Sequence, residues 1–229
     1  MIETISYRLS LISVLIFFSC CFTSCQNTSE TQKTNLIQAD IEKIREEIIL
    51  MGKEDQKYRQ MFLSYQADST TSDSSNDKLG LLQFDKPLDR AELIRLMNVT
   101  DAVHSNSLSQ ILDKYGWPIV SEFGSEAAEF SFLIIQHADA GTQKKYFPLL
   151  QRAAEQGEAS LQNVAMMKDR ILMREGRPQL YGTQIAGMNN MMVVYPIEDE
   201  ANVDKRRKEM GLEPLDEYLQ RNGVTRDKK

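Results

Sequence analysis

Apolar residues recur at steps of three and four along most of this chain, and this spacing is the strongest constraint on its fold. Such spacing lines up one apolar face on an α-helix, whereas a half-buried strand alternates with a period of two. The longest series lies between residues 35 and 67 and predicts one long amphipathic helix. Its members are Ile37, Ile41, Ile44, Ile48, Met51, Tyr58, Phe62 and Tyr65.

Further helices are predicted where similar spacing lies between helix start and stop signals. Asp89 and Asp139 are placed to act as N-caps, and Gly116, Trp117 and Pro118 end the helix that starts after Asp89. The remaining helices are expected at 125–138, 142–156, 159–174, 198–210 and 215–221.

Two segments late in the chain are rich in β-forming residues. They cover residues 178–185 and 191–197 and flank a short turn, which predicts a hairpin. The predicted fold class is therefore mainly α with a small late β-hairpin (α+β), as a single compact helical domain.

The first 25 residues have the pattern of an export signal. Arg8 precedes the apolar run Leu11–Phe18, which is far shorter than the roughly 20 residues of a membrane-spanning helix. Ser24 then precedes Cys25, an arrangement that resembles a bacterial lipoprotein signal in which the cysteine is lipidated. Cys20 is the weaker candidate for the lipid. We therefore expect an exported lipoprotein of the bacterial cell envelope, facing the periplasm or the cell surface and anchored to the membrane through its N-terminal lipid only.

Composition divides the rest of the chain. Residues 26–34 read as a flexible tether, 35–66 as the N-terminal amphipathic helix, 67–88 as a linker, 89–223 as a helical core with the hairpin, and 224–229 as a frayed tail.

The composition also argues against some classes of function. With 229 residues, 41% of them hydrophobic, the chain can bury a full core. Its net charge of -6 comes from interspersed acidic and basic residues, which argues against a nucleic-acid-binding surface. No cysteine follows Cys25, so the exported part is expected to have no disulfide and no thiol nucleophile. The sequence lacks a glycine-rich phosphate loop, a G-x-S-x-G motif and a histidine pair at metal-binding spacing, and we predict no cofactor and no metal site.

Three carboxylates fall on predicted apolar faces, where a charge is costly unless it is hydrogen-bonded or functional. The first is Asp55, with Arg59 one turn further along to pair with it. The alternative is that Gly52 ends the first helix and Asp55 caps a second one.

The second carboxylate is Asp101, with His104 on the same face. Two such groups could share a proton or hold a metal, but two ligands on one helix are a weak signal without a third. The alternatives are a satisfied structural pair, or a helix break at Thr100 with Asp101 as a cap.

The third carboxylate, Asp169, opens the stretch DRILMREGRPQLYGTQ, around which we expect a site. A helix is predicted to end there at Gly176, so the polar residues of this stretch lie where the backbone changes direction. The alternative is a solvated turn after a helix. His137, on the apolar line of another helix and near its C-terminus, is the candidate general acid or base.

Short motifs in the second half of the chain resemble a known family. In order, they are Asn106, the GWP from Gly116, Gly124, the QHAD from Gln136, Gln143, the DR from Asp169, the QLYGTQ from Gln179, and RR followed by Gly211 and Leu212. They resemble the bacterial family catalogued as domain of unknown function 6624, over residues 89–218, with looser agreement at Asp55, Gln56 and Arg59. The resemblance implies no particular activity, but it adds weight to these polar residues. His104 lies outside the pattern, which disfavours a two-histidine metal site.

These observations predict a helical domain that handles a small polar or anionic ligand in a pocket. Its acid–base groups would be His137, Asp169, Asp101 and Asp55, with Asp169 or Asp101 orienting the histidine. Its ligand-binding groups would be Arg59, Asn106, Arg170, Gln179, Tyr181 and Gln184. One alternative is a hydrolase-like enzyme using His137 and the carboxylates as acid and base, and another is a structural scaffold of the envelope without a site.

Overall fold

The computed structural model describes residues 38–64, 88–188 and 191–224. The chain divides into two compact units, residues 1–43 and 44–229, and the described part of the first is helical at residues 38–43. The predicted export signal, the tether and almost all of the linker lie outside the described residues.

Seven α-helices and one hairpin are present within the described ranges, which confirms the predicted fold class. The helix spanning residues 38–64 is α1. It is followed by α2 (Arg90–Tyr115), α3 (Val120–His137), α4 (Ala140–Glu155), α5 (Leu161–Arg174), β1 (Ile185–Met188), β2 (Met191–Val194), a 3-10 turn (Glu200–Asn202), α6 (Val203–Glu209) and α7 (Leu215–Arg221). Within these ranges, no helix combines the length and the apolar character that crossing a bilayer requires.

The first two helices are continuous, so neither of the predicted breaks occurs. Residues 38–64 are helical through Gly52, and α2 runs through Thr100 and Asp101. Asp55 and Asp101 therefore lie inside helices and are not caps. Gly52 has a different role, because a Cβ at this position would lie only 2.0 Å from Cγ of Phe130 on α3.

The end of α3 is fixed by three side chains. Asp139 caps α4 as predicted, accepting hydrogen bonds from the backbone N–H groups of Gly141 and Thr142. Gln143 donates to the carbonyl of Gln136 at 2.6 Å, and Arg174 on α5 donates to the carbonyl of Ala138 at 2.7 Å. Backbone groups that a helix C-terminus leaves unpaired are thus satisfied on both sides of His137. This holds the last residue of α3 in place.

The other end of α3 contains a kink at Gly124, directly before the start of the helix predicted at 125–138. The helix begins at Val120, but Gly124 has a non-helical backbone with a φ of 77° and a ψ of 162°. Glycine adopts this positive φ readily, so a short helical segment precedes the kink and the predicted helix follows it.

The hydrophobic core lies mainly between the helices, and α4 packs most extensively on α5. Its fully buried residues include Ile48, Leu108, Ile134, Ile135, Leu150, Ala165 and Met167. A second cluster of buried residues joins the hairpin to the C-terminal helices, through Val203, Leu215, Leu219 and Val224. Val224, assigned from sequence to a frayed tail, is 3% exposed in this cluster.

The hairpin begins later than its β-forming residues suggest. Its strands pair antiparallel from Ile185 with Val194 to Met188 with Met191. The regular ladder does not extend further because side chains bind most of the preceding backbone N–H groups. Those of Leu180, Tyr181 and Thr183 are bound by Asp169, and that of Gln184 by Gln179. Gln184 still accepts from the N–H of Tyr195, and Gln179 forms an isolated bridge with Ile197.

Replacing Gly52 by alanine tests the close approach of α1 and α3. Alanine by itself favours a helix by up to about 1 kcal/mol over glycine, whereas overpacking a contact costs about 1–3 kcal/mol. We expect a net loss of stability, measured by urea unfolding. In the double variant Gly52→Ala/Phe130→Ala, the alanine at position 52 should no longer destabilise relative to Phe130→Ala alone. A single variant as stable as the wild type would contradict this packing.

Candidate functional site

His137 lies against two side chains of α1 that are one helical turn apart. Its Nδ1 is 3.0 Å from Oδ2 of Asp55 and 3.1 Å from Nε of Arg59. Asp55 is 2% exposed, and its Oδ2 also accepts a hydrogen bond from Gln56 at 2.7 Å. The carboxylate that sequence placed on an apolar face is therefore buried and paired with the histidine that sequence proposed as acid or base.

Asp101 brings α2 to the same place through Arg59. The Nη2 of Arg59 donates to Oδ1 of Asp101, while its Nε lies 3.6 Å from Oδ2 of Asp55. One guanidinium thus contacts both carboxylates and the imidazole. We name these four residues, Asp55, Arg59, Asp101 and His137, the acid–histidine cluster.

Burial and neighbouring charges set the ionisation of the acid–histidine cluster. Burial lowers the pKa of His137, and although Asp55 opposes this, the charges of Arg59 and Arg170 lower it further. Burial acts to raise the pKa of Asp55, but the interactions with His137 and Arg59 outweigh it and leave that pKa below its usual value. Burial and the nearby charge of Asp55 raise the pKa of Asp101 to about 6, against the opposing charge of Arg59. At neutral pH, the ring of His137 is therefore neutral beside an ionised Asp55.

Nδ1 of His137 has two neighbours with opposite requirements. The Nε–H of Arg59 is a donor and Oδ2 of Asp55 is an acceptor, whereas a neutral imidazole nitrogen is either a donor or an acceptor. A protonated Nδ1 donates to Asp55 and leaves Nε2 able to accept a proton. An unprotonated Nδ1 accepts from Arg59 and leaves Nε2 as a donor. Since the side chain is 20% exposed, the ring can exchange a proton with solvent or a ligand.

Arg170 adds a second guanidinium from α5. Its Nε is buried and has no hydrogen-bond partner. Burial lowers the pKa of Arg170, and the charges of Arg174 and Arg59 lower it further. Among the residues that the structure describes, Arg170 forms no ion pair. Within the described part of the chain, its charge is therefore flanked by Arg174 and Arg59 and is not paired with a carboxylate.

The acid–histidine cluster also contains potential metal ligands. One ligand atom each from Asp55, Asp101 and His137 lies within 4.8 Å of the other two. His104 is not part of this set, because its Nε2 lies 3.2 Å from Oε2 of Glu54. The two further potential ligands beside Asp101 are therefore Asp55 on α1 and His137 on α3, and they do not come from α2.

Asp169 belongs to a different network, although it is adjacent to Arg170 in sequence. It is fully buried and accepts hydrogen bonds from the backbone N–H groups of Leu180, Tyr181 and Thr183 and from the hydroxyl of Thr183, at 2.7–3.2 Å. Burial raises the pKa of Asp169, and these hydrogen bonds act in the opposite direction. The expectation that Asp169 or Asp101 orients His137 is therefore corrected, since Asp55 is the carboxylate that contacts the ring and Asp101 binds Arg59.

The glutamines and the tyrosine after α5 also hold the backbone in place. The side chain of Gln179 binds the backbone at Gln184 and at Tyr195, and Gln184 donates to the hydroxyl of Thr183 and to the carbonyl of Met166. The backbone of Tyr181 donates to Asp169 and accepts from an arginine of α6.

Asn106 is exposed on the surface of α2, away from these buried groups. Of the residues predicted for the site, the structure therefore brings together Asp55, Arg59, Asp101, His137 and Arg170.

Sequence reasoning missed the roles of three arginines. Arg206 and Arg207 lie in a run of charged residues that is typical of a solvated face, yet Arg207 is 0% exposed and donates to the carbonyls of Tyr181 and Glu213. Arg206 donates to the carbonyl of Leu180, among others. Arg174, which positions the end of α3, could have been noticed because it lies one helical turn after Arg170.

The substitution Asp169→Asn tests whether Asp169 is structural. Both carboxylate oxygens of Asp169 accept hydrogen bonds, and asparagine would place an NH₂ group where one of these oxygens lies. One backbone N–H group or the hydroxyl of Thr183 would then face another donor. We expect a loss of about 2–4 kcal/mol in the free energy of unfolding, measured with urea. Asp139→Asn is the matched control, because asparagine caps a helix about as well as aspartate and should leave stability nearly unchanged. Equal effects of the two substitutions would contradict a structural role for Asp169.

Comparison with known proteins places the cluster inside a family match. The family of unknown function (DUF6624) matches residues 43–224, which extends the resemblance upstream from residue 89 and includes Asp55 and Arg59 on α1. No curated protein and no solved structure matches the chain. Because the family match covers well over half of the 229 residues, the chain belongs to the family of unknown function DUF6624.

Proposed function

We propose that this domain binds a small anionic ligand beside His137, between the guanidinium groups of Arg59 and Arg170. The observation that carries the proposal is that Arg170 has no counter-ion among the described residues. This side chain is partly buried and its Nε is buried without a hydrogen-bond partner, whereas a cation that is removed from water is normally paired. An anionic ligand would supply the missing counter-charge.

The chemistry of the surrounding groups favours a phosphate or carboxylate group on that ligand. A guanidinium binds the oxygens of either group through a planar fork of N–H donors. A neutral His137 adds either a donor or an acceptor at Nε2. Asp55 and Asp101 engage Arg59 from the other side, which leaves Arg170 as the cation best able to bind the ligand.

Arg170→Gln should separate anion binding from a structural role. Without an anion, this variant should be at least as stable as the wild type, since it removes a partly buried charge that forms no ion pair with the described residues. Inorganic phosphate, sulfate or succinate near saturation should raise the melting temperature of the wild type by roughly 5–10 °C and that of the variant much less. The measurement is a thermal-shift titration at constant ionic strength.

Arg177→Gln is the matched control, because this arginine is 62% exposed and pairs with Glu175 on the surface. It should respond to the anions as the wild type does, including any general stabilisation by phosphate and sulfate. If no anion distinguishes the wild type from Arg170→Gln, and the latter is less stable than the wild type, the arginine belongs to a structural network and the proposal fails.

Acid–base catalysis at His137 is the second candidate, and the 3.0 Å contact between its Nδ1 and Asp55 favours it. A carboxylate that accepts from Nδ1–H orients the ring and leaves Nε2 as a general base toward a bound substrate or water.

The tautomer of His137 tests this second candidate. Long-range ¹H–¹⁵N correlation spectra should show a ring protonated at Nδ1 in the wild type. In Asp55→Asn the population should move toward Nε2–H, because the amide can donate to Nδ1. His104 provides an internal control, since its recorded contact is with Glu54 and not with Asp55. A wild-type ring protonated at Nε2 would exclude this arrangement of acid and base.

We also propose that the chain is an exported lipoprotein anchored through Cys25. The support is the order of Arg8, the apolar run Leu11–Phe18, Ser24 and Cys25 in the sequence. Cells fed an alkyne-tagged palmitate should label the wild type and Cys20→Ser but not Cys25→Ser. Labelling that survives in Cys25→Ser would contradict the assignment.

A further inference from the structure

We propose that Asp55, Asp101 and His137 bind one divalent transition-metal ion in exchange for the guanidinium of Arg59. This inference does not rest on the proposed anion ligand, because it concerns the acidic side of the acid–histidine cluster. Each of the three ligands comes from a different helix, and one ligand atom from each lies within 4.8 Å of the others.

A second observation points to a missing partner. Asp55 is 2% exposed, and its Oδ1 is buried without a hydrogen-bond partner while its Oδ2 binds His137 and Gln56. A buried carboxylate oxygen without a donor costs free energy, and such groups are normally satisfied. Among the described residues no donor reaches Oδ1, and a metal ion held by Asp55 would satisfy this oxygen.

The charges of the cluster also fit a doubly charged ion. Asp55 and Asp101 would together balance a charge of +2, whereas Arg59 supplies only one positive charge to both. The side chain of Arg59 is 19% exposed, so it already reaches solvent at one edge of the cluster. Its long, flexible stem can swing outward when a metal ion takes its place.

The donor set indicates the class of ion. Two carboxylates and one imidazole suit zinc or manganese, whereas magnesium prefers oxygen ligands alone and keeps much of its water. Nδ1 is the ring nitrogen that faces Asp55 and Arg59, so it is the nitrogen that would coordinate. Coordination at Nδ1 fixes the proton of the neutral ring at Nε2.

Metal titration of the full chain in detergent, after treatment with a chelator and without phosphate, tests the proposal. Calorimetry and metal analysis should show one Zn²⁺ or Mn²⁺ per chain, with Mg²⁺ bound about tenfold more weakly or worse. Asp101→Asn and Asp55→Asn should each weaken Zn²⁺ or Mn²⁺ binding by about tenfold or more. Arg59→Gln should strengthen binding, because it removes the competing cation.

Two matched variants control for adventitious binding. Asp113→Asn removes a carboxylate of α2 that is 54% exposed and pairs with Lys145, and His104→Gln removes the histidine outside the set. Both should bind the ion as the wild type does. Because Asp101 is partly exposed, Asp101→Asn is expected to remain folded even if Asp55→Asn does not.

A spectroscopic readout completes the test. Addition of Zn²⁺ should move the proton of His137 to Nε2 in long-range ¹H–¹⁵N spectra, and His104 should be unaffected. The proposal is overturned if Arg59→Gln binds the ion no more tightly than the wild type, or if Asp101→Asn and Asp113→Asn behave alike. Since no anion is present, either result leaves the proposed anion site untouched.

Discussion

The buried carboxylate of Asp55 is the constraint from which the arrangement around His137 follows. An ionised carboxylate out of contact with water must be compensated by hydrogen bonds or opposite charge. Gln56 and Arg59 on the same helix provide part of this compensation, and His137 on α3 adds a further contact, all of them at Oδ2. Among the described residues, Oδ1 has no hydrogen-bond partner. Helix α1 therefore does more than cover the core, because it supplies both the acid that orients the histidine and the cation that links that acid to α2.

Helix α5 shows how two residues that are adjacent in sequence can have different surroundings. Consecutive residues on a helix point about 100° apart, so Asp169 and Arg170 face different surroundings. Asp169 finds four donors in the segment after the helix and is satisfied by them. Arg170 finds Arg174 and Arg59 and is not satisfied by either. The first residue thus stabilises the segment that leads into the hairpin, while the second is the one for which we propose a ligand.

Much of the fold could be predicted from the sequence because the signals of a helix lie in residues that are close together in the chain. Spacing, caps and stop signals depend on residues within a few turns, and they placed α2, α4, α5 and α7 within a few residues of their observed bounds. The same spacing showed that Asp55, Asp101 and Asp169 face inward.

Which inward residue meets which partner could not be predicted, since that depends on how the helices pack. Asp169 accepts hydrogen bonds from backbone N–H groups of a segment that has the composition of a strand, and β1 begins only after that segment, at Ile185. Arg207 reads as a surface charge in a run of charged residues, yet it is buried against the backbone of Tyr181. In both cases the decisive partners are backbone groups, whose availability a sequence pattern does not reveal.

Arg59 connects the proposed anion site at Arg170 with the proposed metal site at Asp55, Asp101 and His137. In the structure it pairs with both Asp55 and Asp101, and it lies close enough to Arg170 to lower the pKa of that residue. An anion that draws Arg59 toward Arg170 would leave the two carboxylates with less positive charge, and so make a metal ion easier to accept. A metal ion that displaces Arg59 would in turn release that arginine toward an anion. Because linkage between two binding equilibria is reciprocal, the two effects would have the same magnitude in free energy. A single side chain that can face either way is sufficient to couple them.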